Sequence, residues 1–157
     1  MLTENDIARI TRRIVEAHAP LAVGTFGSYA IGTASQGSDL DLFIVRDCYE
    51  RPVTRARAVQ RLLFGVLHPL DVHVFTPEEF EETAYEVLSF TWVIARQARL
   101  YHWTDAAAQR LPSLLPRVAA CRAQVTDSPS SAQLPLSTPV SSSGARHSRV
   151  LVLIVSA

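Results

Sequence analysis

The chain has 157 residues, with 15 basic and 15 acidic side chains that give no formal net charge, and 48% of its residues are hydrophobic. This length suits one domain, and zero net charge gives no electrostatic basis for bulk binding of nucleic acid or membranes. The longest unbroken apolar run, residues 150–155, is far shorter than the roughly 20 residues that span a bilayer. Cys48 and Cys121 lack metal-ligand spacing, and no secretory signal follows Met1. We therefore expect free thiols in a cytoplasmic protein.

The first half of the chain alternates helix and strand patterns. Thr3 with Asp6 three residues later predicts the start of a helix, and isoleucines recur at helical spacing through Ile14. Residues 21–26 form a short apolar run typical of a strand. A short helix is expected from Gly27 to residue 31, followed by a strand over residues 39–46.

The next elements continue this alternation. An apolar stripe from Val53 to Val66 predicts a helix that starts at Pro52 and is ended by His68–Pro69, with Arg55, Arg57 and Arg61 off the stripe. A strand is expected over residues 70–75, helices after Thr76 and over residues 87–97, and an extended segment at residues 100–102. The order predicts an α/β domain over residues 1–103, in which a small mixed sheet is flanked by helices.

The composition changes after Trp103, because all aromatic residues lie at or before this position. Residues 126–144 hold seven Ser and three Pro, which supplies little to bury. We expect residues 104–157 to be a flexible, poorly ordered tail, with an interrupted helix over residues 106–125. The apolar C-terminal run could add a strand to a sheet edge or be an aggregation-prone end.

Two carboxylates stand at the start of the second predicted strand. Asp39 and Asp41 alternate with apolar residues and so point to one face, ~7 Å apart. Asp71 begins the third strand in a similar way, and on a neighbouring strand it would complete a cluster of three acids. Three such anions raise one another's pKa values unless a cation balances them, and hard oxygen ligands favour Mg²⁺. His73, two residues beyond Asp71, is interpreted either as a support for this cluster or as an ordinary packed histidine.

The loop before these carboxylates has the character of a phosphate site. Gly27 leaves the backbone bare, and Ser28 offers a hydroxyl and an N–H at the start of a predicted helix, where free N–H groups favour phosphate. Beside a two-metal carboxylate cluster, this loop is typical of displacement reactions at phosphorus.

These residues resemble a known family. Gly27–Ser28, ten intervening residues, Asp39 and Asp41, and a later Asp71 on a strand are similar to the DNA polymerase beta-like nucleotidyltransferase superfamily. Within it, "GSYAIGTASQGSDLDLFIV" looks like the minimal nucleotidyltransferases of antitoxin type. The resemblance covers about residues 5–103.

The resemblance implies roles for these residues. Gly27 and Ser28 would bind the nucleoside triphosphate, and Asp39, Asp41 and Asp71 would be the catalytic acids that hold two Mg²⁺ ions. The expected reaction transfers a nucleoside monophosphate, AMP from ATP, to a hydroxyl. The expected acceptor lies on a small all-helical toxin, for which this chain would be the antitoxin, and homo-oligomers stay open.

Two alternatives remain at this point. The chain could adenylylate a small molecule such as an aminoglycoside, at a site completed by dimerisation. It could instead be a non-catalytic binding module that keeps the fold and neutralises its partner by contact.

Overall fold

The computed structural model describes residues 1–126 and 151–152, with side chains through residue 120. This part of the chain forms five strands and seven α-helices. In order, they are α1 (Glu4–His18), β1 (Ala22–Phe26), α2 (Gly27–Ile31), β2 (Leu40–Val45), α3 (Pro52–Leu62), β3 (Leu70–Phe75), α4 (Pro77–Thr83), α5 (Phe90–Gln97), β4 (Arg99–Trp103), α6 (Asp105–Arg110), α7 (Leu115–Thr126) and β5 (Leu151–Val152). A 3₁₀ turn, Pro112–Leu114, joins α6 to α7.

The strands form one mixed sheet in the order β3-β2-β1-β4-β5. The β2–β3 pair is parallel, and the other neighbouring strands are antiparallel. The predicted α/β fold with a small mixed sheet and flanking helices is confirmed. Strand β3 stands at the edge of the sheet, with β2 as its parallel neighbour.

Helices cover both faces of the sheet. One face packs on α1 and α3, where Ile7, Ile14 and Val59 are fully or almost fully buried against strand residues. The other face packs on the later helices, where Phe43 and Phe80 are fully buried. The strands are therefore apolar on both sides, and a carboxylate within them needs a specific environment.

Helix starts follow the predicted capping residues. The Thr3 side chain accepts a hydrogen bond from the Asp6 N–H, and the Asp6 carboxylate bonds the Thr3 backbone. Thr76 and Glu79 form the same reciprocal pair at the start of α4. Such local signals lie within four residues of sequence, which is why the sequence alone identifies them.

Helix α3 differs from its prediction. It ends at Leu62 rather than at His68–Pro69, because Gly65 adopts a φ of 94° that turns the chain before the proline. Val53, expected on the apolar stripe, is 61% exposed, whereas Arg55, expected off it, is 2% exposed. Helix α5 likewise starts at Phe90, not near Val87.

The residues just after Trp103 also differ from the expected flexible tail. Leu111 and Leu114 are fully buried and Val118 is almost so, all in the core on the α4–α5 side of the sheet. Pro112 begins a 3₁₀ turn between two short helices, so the proline does not interrupt the packed segment. Of the C-terminal run, Leu151–Val152 pair with His102 and Trp103 as strand β5. The rest of the predicted tail, residues 127–150 and 153–157, lies outside the described residues.

The sequence predicts no membrane-spanning segment. Among the described residues, no helix combines the length and apolar character required to cross a bilayer.

Candidate active site

The start of β2 and the start of β3 lie side by side. In the parallel register Asp41 is paired with Asp71, and in the antiparallel register on the other side Asp41 is paired with Phe26. The residue after Phe26 is Gly27, the first residue of α2. The sheet thus brings three predicted site residues, Gly27, Asp41 and Asp71, from distant parts of the sequence to one end of the β1–β2–β3 strands.

Gly27 is in direct contact with the Asp41 carboxylate. It adopts a φ of 62°, a conformation that L side chains rarely take, and a Cβ at this position would overlap with Asp41 Oδ2. The glycine is therefore required twice, once for its backbone angle and once for space. Ser28, the next residue, caps the short helix through its carbonyl, which accepts the N–H groups of Gly32 and Thr33. The Ser28 hydroxyl makes no hydrogen bond within the described residues and stays available.

Asp41 carries an unbalanced charge. Its burial raises the pKa of its carboxyl above the usual value, the charges of Asp71 and Asp39 raise the pKa further, and His73 opposes them. Asp39 lies just before β2 and is exposed to solvent. The three predicted acids are therefore close enough for their charges to act on one another, and they concentrate negative charge at one end of the sheet.

The carboxylate of Asp71 is held by a neighbour. His73 Nε2 lies 3.0 Å from Asp71 Oδ2, and since a carboxylate only accepts, the His73 N–H donates this bond. The histidine ring packs against Phe90 at 4.5 Å and Phe26 at 5.5 Å between centroids. His73 thus bonds a residue of the candidate site and also packs against aromatic rings, so it makes the contacts expected from both interpretations.

The three predicted acids are not arranged as a metal site. As they are placed, no group of three or more His, Cys, Asp or Glu side chains among the described residues could hold a metal ion. The donor chemistry nevertheless fits Mg²⁺, since the set is made of carboxylates and carries negative charge that raises the pKa of Asp41. Asp71 is 58% exposed, so solvent reaches its carboxylate.

A comparison with protein families decides the family of the chain. The sequence model of the nucleotidyltransferase domain matches residues 6–100, more than half of the chain. The chain belongs to the nucleotidyltransferase domain family. The matched residues contain both halves of the motif, Gly27–Ser28 and Asp39–Asp41, together with Asp71, and the family makes the chain a transferase of nucleotidyl groups.

Solved structures give more distant similarities. A crystal structure described as "the toxin-antitoxin with AMP-PNP" is 16% identical with a TM-score of 0.48, and the match covers 80% of this nucleotidyltransferase and 92% of that chain. Two mutants of the toxin-antitoxin MntA-HpeT are 15% and 17% identical, with TM-scores of 0.47 and 0.46; they cover 80% and 81% of this chain and 92% of their own. Because these TM-scores are low, the function of this chain is inferred from its own residues and not from these structures. No curated protein matches the sequence.

Two residues of this region were not expected from the sequence. Arg55 is buried beside the sheet and pairs with Glu79, although its position in α3 predicted a solvated side chain. The sequence predicts Phe90 inside a helix over residues 87–97. In the structure Phe90 begins α5, and its ring lies over His73 with 57% of its surface exposed. The sequence around each residue does not predict its surroundings, because these depend on which elements of the fold pack together.

Proposed function

We propose that this nucleotidyltransferase transfers a nucleoside monophosphate, AMP from ATP, to a hydroxyl acceptor in a Mg²⁺-dependent reaction. Asp39, Asp41 and Asp71 would hold the metal, and Gly27 and Ser28 would bind the triphosphate. The observation that carries the proposal is the register of β2 and β3, which pairs Asp41 with Asp71 while the bare backbone of Gly27 contacts the Asp41 carboxylate.

Each residue then has a task that its position allows. The free hydroxyl and N–H of Ser28, next to Gly27, donate to phosphate oxygens that approach the glycine. Asp41 and Asp39 provide the carboxylate oxygens on the strand side. Bound Mg²⁺ would supply charge stabilisation for the triphosphate and the departing pyrophosphate. Asp71, held by His73, lies where it can accept a hydrogen bond from an incoming hydroxyl.

We further propose that the acceptor is a tyrosine or similar hydroxyl on a small all-helical toxin, so that the chain acts as an antitoxin in the cytoplasm. This part rests on the resemblance of residues 27–45 to the minimal nucleotidyltransferases. It also agrees with the open end of the β2–β3 pair, because Asp39 and Asp71 are both exposed and a partner can reach them.

The test is an assay of group transfer with two readouts. Purified chain is incubated with Mg²⁺, ATP labelled on its α-phosphate, and the purified product of the adjacent reading frame, and label on a small helical protein is the expected result. Asp41→Asn should abolish both labelling and the binding of Mn²⁺ measured by calorimetry. Absence of label together with unchanged Mn²⁺ affinity in Asp41→Asn would refute the proposal.

One structural observation favours a second candidate, a non-catalytic antitoxin. The acidic side chains, as they are placed, do not form a group that could hold a metal within the described residues. A contact-only antitoxin should still neutralise its toxin when Asp39 and Asp41 are both changed to Asn. A catalytic antitoxin should lose neutralisation with the same double substitution.

A further inference from the structure

The loop between α4 and α5 exposes an apolar surface. Tyr85, Val87, Leu88 and Phe90 have exposed fractions of 69%, 70%, 87% and 57%. We call these four side chains the loop patch. Single exposed apolar residues are ordinary on protein surfaces, but four large ones within six positions, three in the loop and Phe90 at the start of α5, are typical of an interaction site.

Leu88 is held in a costly backbone conformation. Its φ is 73°, and the Ser89 N–H bonds the Glu86 carbonyl at 3.1 Å to close a turn around it. The third position of such a turn favours glycine, because a side chain there crowds the backbone. A leucine in this conformation is strained, because its Cβ crowds the backbone. With 87% of Leu88 exposed, contacts within the described residues do not compensate this cost.

The loop is nevertheless well fixed. Ser89 Oγ donates to the Thr83 carbonyl at 2.7 Å and accepts the Trp92 N–H at 3.0 Å. Thr91 Oγ1 lies 2.8 Å from Thr83 Oγ1 and 3.0 Å from Ser89 Oγ. These hydroxyls tie both ends of the loop together, so the loop patch is presented in one arrangement and binding it costs little conformational entropy.

The loop patch is continuous with the candidate active site. The ring of Phe90 lies 4.5 Å from that of His73, and His73 in turn donates to Asp71. A protein that covers the loop patch therefore has its neighbouring surface beside Asp71, where the acceptor hydroxyl of the proposed reaction must arrive.

The charge around the loop patch is acidic. Residues 71–86 contain six carboxylates and no Lys or Arg, although the whole chain is neutral. Arg110 pairs with Glu78, Arg55 pairs with Glu79, and Ser113 donates a hydrogen bond to Glu81. Glu82 on α4 and Glu86, which lies between Tyr85 and Val87, have no charged partner among the described residues. A second copy of the chain would bring the same carboxylates to this surface, whereas a basic partner would balance them.

We infer that the loop patch is the docking surface for a partner protein that presents apolar side chains among Arg and Lys residues. The inference rests on the proposed function in one respect, namely that the docked protein carries the acceptor hydroxyl. Apolar contacts with Leu88 and Phe90 would supply affinity, and Glu82 and Glu86 would favour a basic surface over an acidic one.

The first experiment identifies the occupant. A photo-crosslinking amino acid replaces Leu88 in the full chain, which is expressed in its native cells, and Leu67 serves as a matched site because it is a fully exposed leucine on another loop. We expect Leu88, but not Leu67, to crosslink a protein through a segment rich in Arg and Lys. A crosslink to a second copy, to residues 127–157 of the same chain, or to an acidic segment would overturn the inference, as would equal crosslinking at Leu67.

The second experiment separates binding from folding, with the captured protein purified as the probe. Leu88→Gly should weaken binding by at least about tenfold without lowering the melting temperature, because glycine suits the turn. Glu82→Lys with Glu86→Lys should also weaken binding, and Leu67→Gly and Glu16→Lys should leave it unchanged. Unchanged affinity in Leu88→Gly would overturn the inference.

The same binding measurements, repeated in the Asp41→Asn chain, distinguish the docking surface from the proposed reaction. Docking should persist in Asp41→Asn while labelling of the partner is lost. If wild-type chain binds through Leu88 but transfers no label, the docking inference stands and the proposed catalysis fails.

Discussion

Two charged side chains beside the sheet, Arg55 on α3 and Asp41 on β2, meet opposite environments. The Arg55 guanidinium bonds Glu79 and Cys48. Burial alone would lower the pKa of Arg55, but these contacts outweigh the burial and raise the pKa. Asp41 has no cationic partner of this kind among the described residues, and its burial and the charge of Asp71 raise its pKa. The chain neutralises the charge of Arg55 itself and leaves Asp41 without such a partner among the described residues.

The two environments predict different consequences of substitution. The Arg55 guanidinium is buried while Glu79 is 43% exposed, and a buried charge that loses its partner destabilises the fold. A carboxylate with no cationic partner does not stabilise the fold, and a raised pKa makes it a candidate for ligand binding. Substitutions at the two places should therefore change stability in opposite directions.

The largest effect is expected from Asp41→Asn. Nucleotidyl transfer should fall by about a thousandfold or more, because the loss of a metal ligand removes several kcal/mol of charge stabilisation. The free energy of unfolding should stay the same or rise slightly, since the amide is free of the repulsion from Asp71. Labelling assays and thermal melts check both parts. Asp47→Asn, which removes an exposed partner of Arg110, is the control that keeps activity. A clear loss of stability in Asp41→Asn would contradict the comparison.

Glu79→Gln should have the opposite profile at the other charge. The substitution leaves the buried Arg55 guanidinium without a carboxylate, which should lower the free energy of unfolding by about 1–3 kcal/mol, less than for a fully buried pair because Glu79 is 43% exposed. Denaturant unfolding measures this change. Glu78→Gln is the matched control, because Glu78 pairs with Arg110 at the surface and such pairs contribute under about 1 kcal/mol. Equal losses in the two variants would show that the buried pair has no special role.

Gly27→Ala tests whether the close approach to Asp41 matters beyond backbone strain. Gly32→Ala is the natural control, because Gly32 has a φ of 76° but no atom within 4 Å of a Cβ placed there. Both variants should lose about 1 kcal/mol from the positive φ. Only Gly27→Ala should lose more and also weaken ATP affinity, measured by calorimetry. Identical behaviour of the two variants would remove Gly27 from the candidate site.

The smallest effect concerns a third buried group, His102, which is kept neutral rather than paired. Burial lowers the pKa of this histidine below its usual 6.5, although its Nε2–H donates to the Pro20 carbonyl at 3.1 Å. Because the unfolded chain then binds the proton more readily, stability should be full above about pH 6.5 and fall as the pH decreases toward the folded-state pKa. Melts between pH 8 and pH 5.5 check this, and His102→Gln should show a smaller acid loss than the parent chain.

Most of the fold and the identities of the proposed site residues could be predicted from the sequence. Helix starts at Thr3 and Thr76 and the strand over residues 70–75 depend on neighbours a few positions away. The motif that unites Gly27, Asp39 and Asp41 is also local, and the family match confirms the resemblance at the level of the nucleotidyltransferase domain. The roles of these residues, with that of Asp71, stay predictions.

Other features could not be predicted because they depend on contacts between distant segments. The buried position of Arg55 requires Glu79, 24 residues later, to meet it across the sheet edge. Leu111 and Leu114 pack in one core with residues of α4 and α5. The Ser/Pro-rich composition farther along the chain predicted a flexible segment and gave no indication of this packing. The pairing of His73 with Asp71 requires aromatic rings from β1 and α5 to orient the histidine.

The sequence alone specifies a loop with a glycine, three aspartates at strand starts, and apolar strands that must be covered by helices. These follow from short-range stereochemistry and from alternation along each strand. The parallel pairing of β3 with β2, the position of Asp71 beside Asp41, and the contact of Phe90 with His73 depend on the tertiary structure. The reason is physical: strand pairing and helix packing are chosen by the burial of apolar surface over the whole domain, which no local pattern specifies.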